Sequence, residues 1–261
     1  MNIDILNESL LKTNILKKII YFDDLGSTNI YSKCNLANLP DNTLVITDNQ
    51  TNGVGRFGRE WKSSKGENLS YSLIKNFKLR IDEIHFVNFF SSYILFLTVK
   101  HFISEFQDSD LSLKWPNDLL LNKKKIAGLL LEIKDLNNEL KKFIIGIGLN
   151  VNQIFFPEEI THKASSLKKE FKKDFHPEII LIKFAELFFE NSGLLSQHKK
   201  LMELWSSNSN IIGKFIHFKQ LEDDKEIRAE VIKIGEDGGL NVCLENGKKH
   251  KFYSGEISII Y

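Results

Sequence analysis

Between Ile19 and Asn152 the chain sets short apolar runs against polar turns, and the period of each run predicts its element. IIYF (19–22) and LVIT (44–47) are strand-like, and between them DDLGSTN is a turn cluster leading into a helix from Asn29 onward. NLSYSLI (68–74) places Leu69, Tyr71 and Leu73 at alternate positions, the period of a half-buried strand. IDEIHFVNFFSSYILFLTVKHFISEF (81–106) instead has Phe86, Phe90, Tyr93 and Leu97 at helical spacing, one apolar face to pack on a sheet. SLKWPNDLLLNKKKIAGLLLEIK (112–134) reads as a hairpin of two strands joined by NKKK, and KFIIGIGLNVN (142–152) as a strand apolar almost throughout. Residues 177–195 fit a helix that Pro177 begins, with Ile180, Phe184, Leu187 and Phe188 on one side.

After Trp205 the pattern changes. SSNSN (206–210) is polar and turn-rich, and beyond it KFIHF, IRAEVIKI, LNVCLE and KKHKFYS are short strands connected by EDGG and by the NG of ENGKK, a hairpin signal. The expectation is an α+β body, residues 1–205, followed by a small barrel-like β module, residues 206–261.

Composition narrows the function classes. With 261 residues the chain can bury a substantial core, and 42% hydrophobic with 26% charged residues is ordinary for a soluble globular protein. Thirty-five basic against 34 acidic residues leave a net charge of +1, which makes no electrostatic case for nucleic acid or an anionic membrane. Cys34 and Cys243 form no metal-binding or disulfide pattern and fit reduced cytoplasmic thiols. The N-terminus lacks the basic start and apolar run of a signal peptide. FVNFFSSYILFLTV (86–99) falls short of the roughly 20 apolar residues that span a bilayer. A cytoplasmic protein without membrane partners is expected.

Arginine is scarce, at Arg56, Arg59, Arg80 and Arg228, yet half of it falls in TNGVGRFGREW (51–61) among three glycines. A planar, permanently charged fork used so selectively suits recognition of a carboxylate or phosphate. Four loops at strand ends stand out: GSTN (26–29), QTNGVGRFGREW (50–61), KWPND with KIAG (114–128), and GIGLNVN (146–152). Brought together they would supply amides, hydroxyls, asparagines, two arginines and a lysine, with no evident nucleophile or histidine-based triad. Such a site positions and neutralises anions. Each residue also has a plain structural role open to it: Ser27 and Thr28 can cap the following helix, Lys125 sits in a run of three lysines, Trp61 and Trp115 can be core, and Asn150 can end a strand.

The combination resembles the biotin protein ligases, the biotin–[acetyl-CoA-carboxylase] ligases. Their GRGRxGRxW loop looks like GVGRFGREW (53–61) here, and their KWPND, KxxG and GEIS elements look like KWPND (114–118), KIAG (125–128) and GEIS (255–258), so the resemblance covers roughly residues 19–261. Val54 stands where the family usually has its first arginine. The resemblance implies a mixed, largely antiparallel sheet with packed helices of the class II aminoacyl-tRNA-synthetase type, a C-terminal SH3-like barrel, and the monofunctional form without an N-terminal DNA-binding domain. It implies ATP-dependent conversion of biotin to biotinyl-5'-AMP and transfer to a lysine of a biotin carboxyl carrier protein. A homodimer is compatible with it.

By the same resemblance, Ser27, Thr28, Asn29, Gln50, Gly53, Val54, Gly55, Arg56, Lys125 and Gly128 would hold biotin. Arg56, Arg59, Trp61, Asn117, Lys125 and Asn150 would hold ATP, and Lys125, Arg56 and Asp118 would be catalytic. Magnesium would arrive with ATP, held by phosphates and water, with no protein metal site. A lipoate-type ligase, for which the polar Ser-Thr-Asn and Gln set is ill suited, and a catalytically silent biotin binder are the alternatives. A biotin-responsive repressor fits less well, because only 26 residues precede Ser27.

Overall fold

The computed structural model describes residues 1–106, 109–135, 140–219 and 226–260. A short helix α1 (Ile3–Leu6) precedes β1 (Lys18–Leu25), α2 (Thr28–Cys34) and β2 (Thr43–Gln50). Two-residue strands β3 (Gly53–Val54) and β4 (Glu60–Trp61) lead to β5 (Asn68–Lys78) and α3 (Phe86–Phe102). Then come β6 (Leu111–Lys114), β7 (Asp118–Leu121), β8 (Lys124–Asp135) and β9 (Leu140–Asn150). The helices α4 (Glu158–Thr161), α5 (Leu167–Phe171), α6 (Pro177–Glu190) and α7 (His198–Ser207) complete the body.

Seven strands form one sheet in the order β1-β2-β5-β9-β8-β7-β6, with β1 and β2 parallel and every other pair antiparallel. Alternation along each strand decides which face it serves. Leu69, Tyr71 and Leu73 of β5 and Ile145, Ile147 and Leu149 of β9 enter one core with Phe90 of α3 and Phe184 and Phe188 of α6. Ser70 and Ser72, and Gly146, Gly148 and Asn150, therefore face the other way, toward α2 and the loops. Because α2 packs on β2, β5 and β9, the first seven residues of β5 are buried on both faces, not half-buried as their pattern suggests.

Two other expectations change. The helix expected over 81–106 begins only at Phe86 and is buried nearly all round, since α6 and α7 pack on it as well as the sheet. Residues 112–134 make three strands where two were expected. Their second turn is just Asn122–Lys123, both at positive φ (50° and 67°), the left-handed pair that a two-residue hairpin turn needs. KWPND thus occupies the tight connection between β6 and β7.

The C-terminal strands β10 (Phe215–Lys219), β11 (Glu226–Ile234), β12 (Leu240–Leu244), β13 (Lys249–Phe252) and β14 (Glu256–Ile259) form a second, antiparallel sheet in the order β13-β12-β11-β10-β14. β14 carries the GEIS segment, which has no evident strand pattern, and pairs with β10. Ile216, Phe218 and Val231 join the main apolar core, and the Trp115 indole donates to the Gly238 carbonyl at 3.0 Å. Gly238, at φ 75°, approaches Phe89 so closely that a Cβ would overlap its ring.

Candidate functional site

The four segments do converge, although GIGLN (146–150) is part of β9 and not a loop. They line a cavity of about 950 Å³ over β7, β8 and β9, bounded by the glycine loop and by Gly255–Ile259. Of the expected site residues, Ser27, Thr28, Asn29, Gln50, Val54, Gly55, Arg56, Arg59, Trp61, Asn117, Asp118, Lys125, Gly128 and Asn150 all line it. Gly53 is not among the lining residues. It serves the β3–β4 hairpin, where a Cβ would lie 2.5 Å from the Trp61 carbonyl oxygen.

A β-bulge aims the cationic centre. Leu119 pairs with Ala127 and Leu120 with Lys125, so Ile126 is the extra residue. Without the bulge Lys125 would share Ala127's core-facing side; with it, Lys125 joins Asp118 and Leu120 on the cavity side. Its ammonium lies 2.6 Å from Asp118 Oδ1, and Lys114 Nζ lies 3.6 Å from Oδ2. Burial pushes the Asp118 pKa up, but the two ammoniums outweigh it and hold the carboxyl below its ordinary value. Asp118 is therefore ionised at neutral pH, and the three groups carry a net positive charge.

Arg56 is half-buried and donates to Asn117 Oδ1 at 3.4 Å. Desolvation lowers its pKa against the opposing fields of Asp118 and Glu256, so a charged guanidinium is held in a partly dry setting. Arg59 instead reaches across to pair with Glu256 of β14. Trp61 lies on a floor that only glycines permit: a Cβ at Gly148 would be 2.6 Å from the indole Nε1, and one at Gly128 would be 3.0 Å from Lys125 Nζ. Lys125 Nζ is 5.4 Å from the indole ring centre. Among the described residues, Trp61 Nε1 and Asn150 Oδ1 are buried without hydrogen-bond partners, while Asn150 Nδ2 donates to the Ser165 carbonyl at 2.9 Å.

At the other end, Ser27 caps α2 through the Ile30 amide, and the Thr28 amide donates to Gln50 Oε1 at 3.0 Å. Ser27 and Thr28 are thus cap and cavity wall at once. Lys114, Gly146 and Gly148 fall inside the KWPND and GIGLNVN stretches that the sequence marked, without a role of their own, and Ser72 was not marked at all. The signal for the glycines was the period-2 run GIGLN, whose small members face the site while its large members face the core.

A mixed sheet carrying two lysines paired with one carboxylate, a half-buried arginine and a polar recess has the charge and shape to suit an anionic small molecule. This chain belongs to the biotin/lipoate A/B protein ligase family, whose model matches residues 19–150. It is 36% identical over 164 residues to the bifunctional ligase/repressor BirA of Bacillus subtilis, an alignment covering 61% of this chain and 49% of that protein. The chain thus spans about half the length of that relative. Against the biotin–[acetyl-CoA-carboxylase] ligase of Mycobacterium tuberculosis it is 29% identical over 49% of this chain and 45% of that one. Its fold matches the Aquifex aeolicus biotin protein ligase in complex with biotin and ATP, with a TM-score of 0.73 and 29% identity over 94% of this chain and 99% of the other. Among the described residues no helix is long and apolar enough to cross a membrane, and no group of three or more potential metal ligands occurs.

Proposed function

We propose that this chain is a biotin–protein ligase, which activates biotin with ATP and transfers it to a lysine of a biotin carboxyl carrier protein. The observation that carries this reading is the Lys125–Asp118–Lys114 group on the floor of a cavity whose other end is a hydroxyl- and amide-lined recess. A carboxylate and a triphosphate repel, so their approach needs fixed cations that cost no reorganisation when the reaction starts. Lys125 and Arg56 supply them.

In the first step a biotin carboxylate oxygen forms a bond to the α-phosphorus and pyrophosphate leaves with the electrons of the broken P–O bond. In the second, a neutral lysine amine of the carrier attacks the anhydride carbonyl, AMP departs and the amine loses its proton. Asp118, held below its ordinary pKa, is a poor proton acceptor at neutral pH, so its role is to position the two ammoniums. Trp61 and Asn150, each with an unspent polar atom, face the nucleotide. Magnesium would come with ATP on its phosphates, since the carboxylates lining the cavity are each paired with a cation: Asp118 with Lys125 and Lys114, Glu256 with Arg59, and Glu60 with Lys62.

Pyrophosphate release on mixing the protein with biotin and Mg-ATP tests the first step. Release that depends on biotin is expected. No release above a biotin-free control would leave only a binding protein.

A further inference from the structure

The polar recess contains a hydrogen-bond chain whose proton positions follow from elimination. Asn29 is buried, and its Nδ2 donates to the Leu130 carbonyl at 3.2 Å and to Glu132 Oε2 at 3.1 Å, which uses both amide hydrogens. Exchanging the amide's oxygen and nitrogen would set oxygen against a carbonyl and a carboxylate, so Oδ1 is fixed as an acceptor toward Ser72. Glu132 is itself held by Lys33 at 2.9 Å. A Cβ at Gly146, across the strand pair from Ser72, would overlap Asn29 Oδ1, so the glycine makes room for this arrangement.

Ser72 is fully buried, with Oγ 2.7 Å from Asn29 Oδ1 and 2.8 Å from Thr28 Oγ1. A hydroxyl has one proton, and Asn29 Oδ1 has none to give, so the Ser72 proton goes to Asn29. The short Ser72–Thr28 contact then requires the Thr28 proton between the two oxygens. The competing acceptor, Gln50 Oε1, is farther at 3.3 Å and already receives the Thr28 amide. Sending the proton there would leave two bare oxygens 2.8 Å apart in a buried setting.

We infer that Asn29 and Ser72 form a buried relay that turns the Thr28 hydroxyl into a hydrogen-bond acceptor facing the cavity, there to receive an N–H of the bound ligand. This rests on the biotin ligase reading. With Gln50 Oε1 occupied, Gln50 offers its Nε2 donors and Ser27 its hydroxyl proton. The recess then presents an acceptor beside donors, the complement of a cyclic urea. Asn29 and Ser72 are positioning residues.

The test is binding calorimetry on the whole chain with biotin and with the two cyclic carbamate analogues, in each of which one ureido N–H is replaced by oxygen. The unaltered protein should prefer biotin by roughly 100-fold or more over the analogue whose oxygen meets Thr28, since two acceptors then face each other. In Ser72→Ala the Thr28 hydroxyl is free to rotate and donate, and that preference should fall about tenfold, while affinity for ATP is unchanged. Ser72→Cys, with a weak donor of similar size, should be intermediate, and in a Thr28→Val background it should alter the preference no further. A purely structural Ser72 would weaken biotin and carbamate equally, and equal preference in all these proteins overturns the relay. If Ser72→Ala does not fold, Ser72→Cys with and without Thr28→Val decides by the same criterion. Failure of the unaltered chain to bind biotin would overturn the ligase reading as well as the relay.

Discussion

Lys125 is one of three consecutive lysines, and what distinguishes it is a bulge at Ile126 that turns its side chain onto the cavity side of β8. In the proposed reaction its ammonium would meet charge that grows at phosphorus, so Lys125→Ala should slow biotin-dependent pyrophosphate release by about 10²–10³, the scale of losing one preorganised electrostatic donor. Lys125→Arg should restore only part of the rate, because a wide planar fork does not replace a compact charge beside Asp118. Equal rates in the alanine variant and the unaltered protein would remove Lys125 from the reacting centre. Asp118 predicts a pH signature. Its folded pKa lies below the ordinary 3.8, so its pairing stabilises the fold above that value and the contribution is lost as pH falls through the lower folded pKa. The stability gap between the protein and Asp118→Asn, measured by urea unfolding, should be widest near neutrality and narrow below about pH 4. A gap independent of pH would mean that the carboxylate is not held ionised by its lysines.

At the scale of elements, the strands and helices were legible because apolar period is written directly in the sequence, as Leu69, Tyr71 and Leu73 or Ile180, Phe184 and Phe188 illustrate. What was not legible depends on partners far along the chain. Ser72 reads as the polar side of a half-buried strand and is fully enclosed, because α2 and Asn29 cover it. The bulge in β8 cannot be read from KKKIAG alone, since it is defined only against β7. The recess and the cationic centre were legible from loop motifs and a family resemblance, while the glycine floor fell within GIGLNVN, read as a loop at a strand end, whereas Gly146 and Gly148 lie inside β9. That floor makes its own prediction. Gly148→Ala should fold, since alanine is tolerated in a strand, but its methyl would drive the Trp61 indole off the floor. Trp115 and Trp205 are buried in the core, so a red shift in tryptophan emission would report Trp61, and it should vanish when Trp61→Phe is added. An unshifted spectrum would mean that the indole does not rest there.

At the scale of the molecule, the C-terminal sheet is not a tethered accessory: Trp115 of KWPND bonds to Gly238, and Glu256 of GEIS clasps Arg59 of the glycine loop. The Arg59–Glu256 pair is largely exposed on the arginine side, so Glu256→Ala should cost no more than about 1 kcal/mol of stability. Because it ties the roof of the cavity to the second sheet, the same variant should slow turnover by a larger factor than that loss of stability explains. Unchanged turnover, measured beside the thermal midpoint, would reduce the clasp to surface decoration. Both proposed half-reactions would meet in one cavity, and one measurement spans both. The protein is incubated with biotin, Mg-ATP and a biotin carboxyl carrier domain, and the carrier is weighed by mass spectrometry. The carrier should gain the mass of one biotin less one water, only when all three components are present, and no longer when its acceptor lysine is replaced by arginine. A carrier of unchanged mass, under conditions where an established biotin ligase modifies it, would contradict the account.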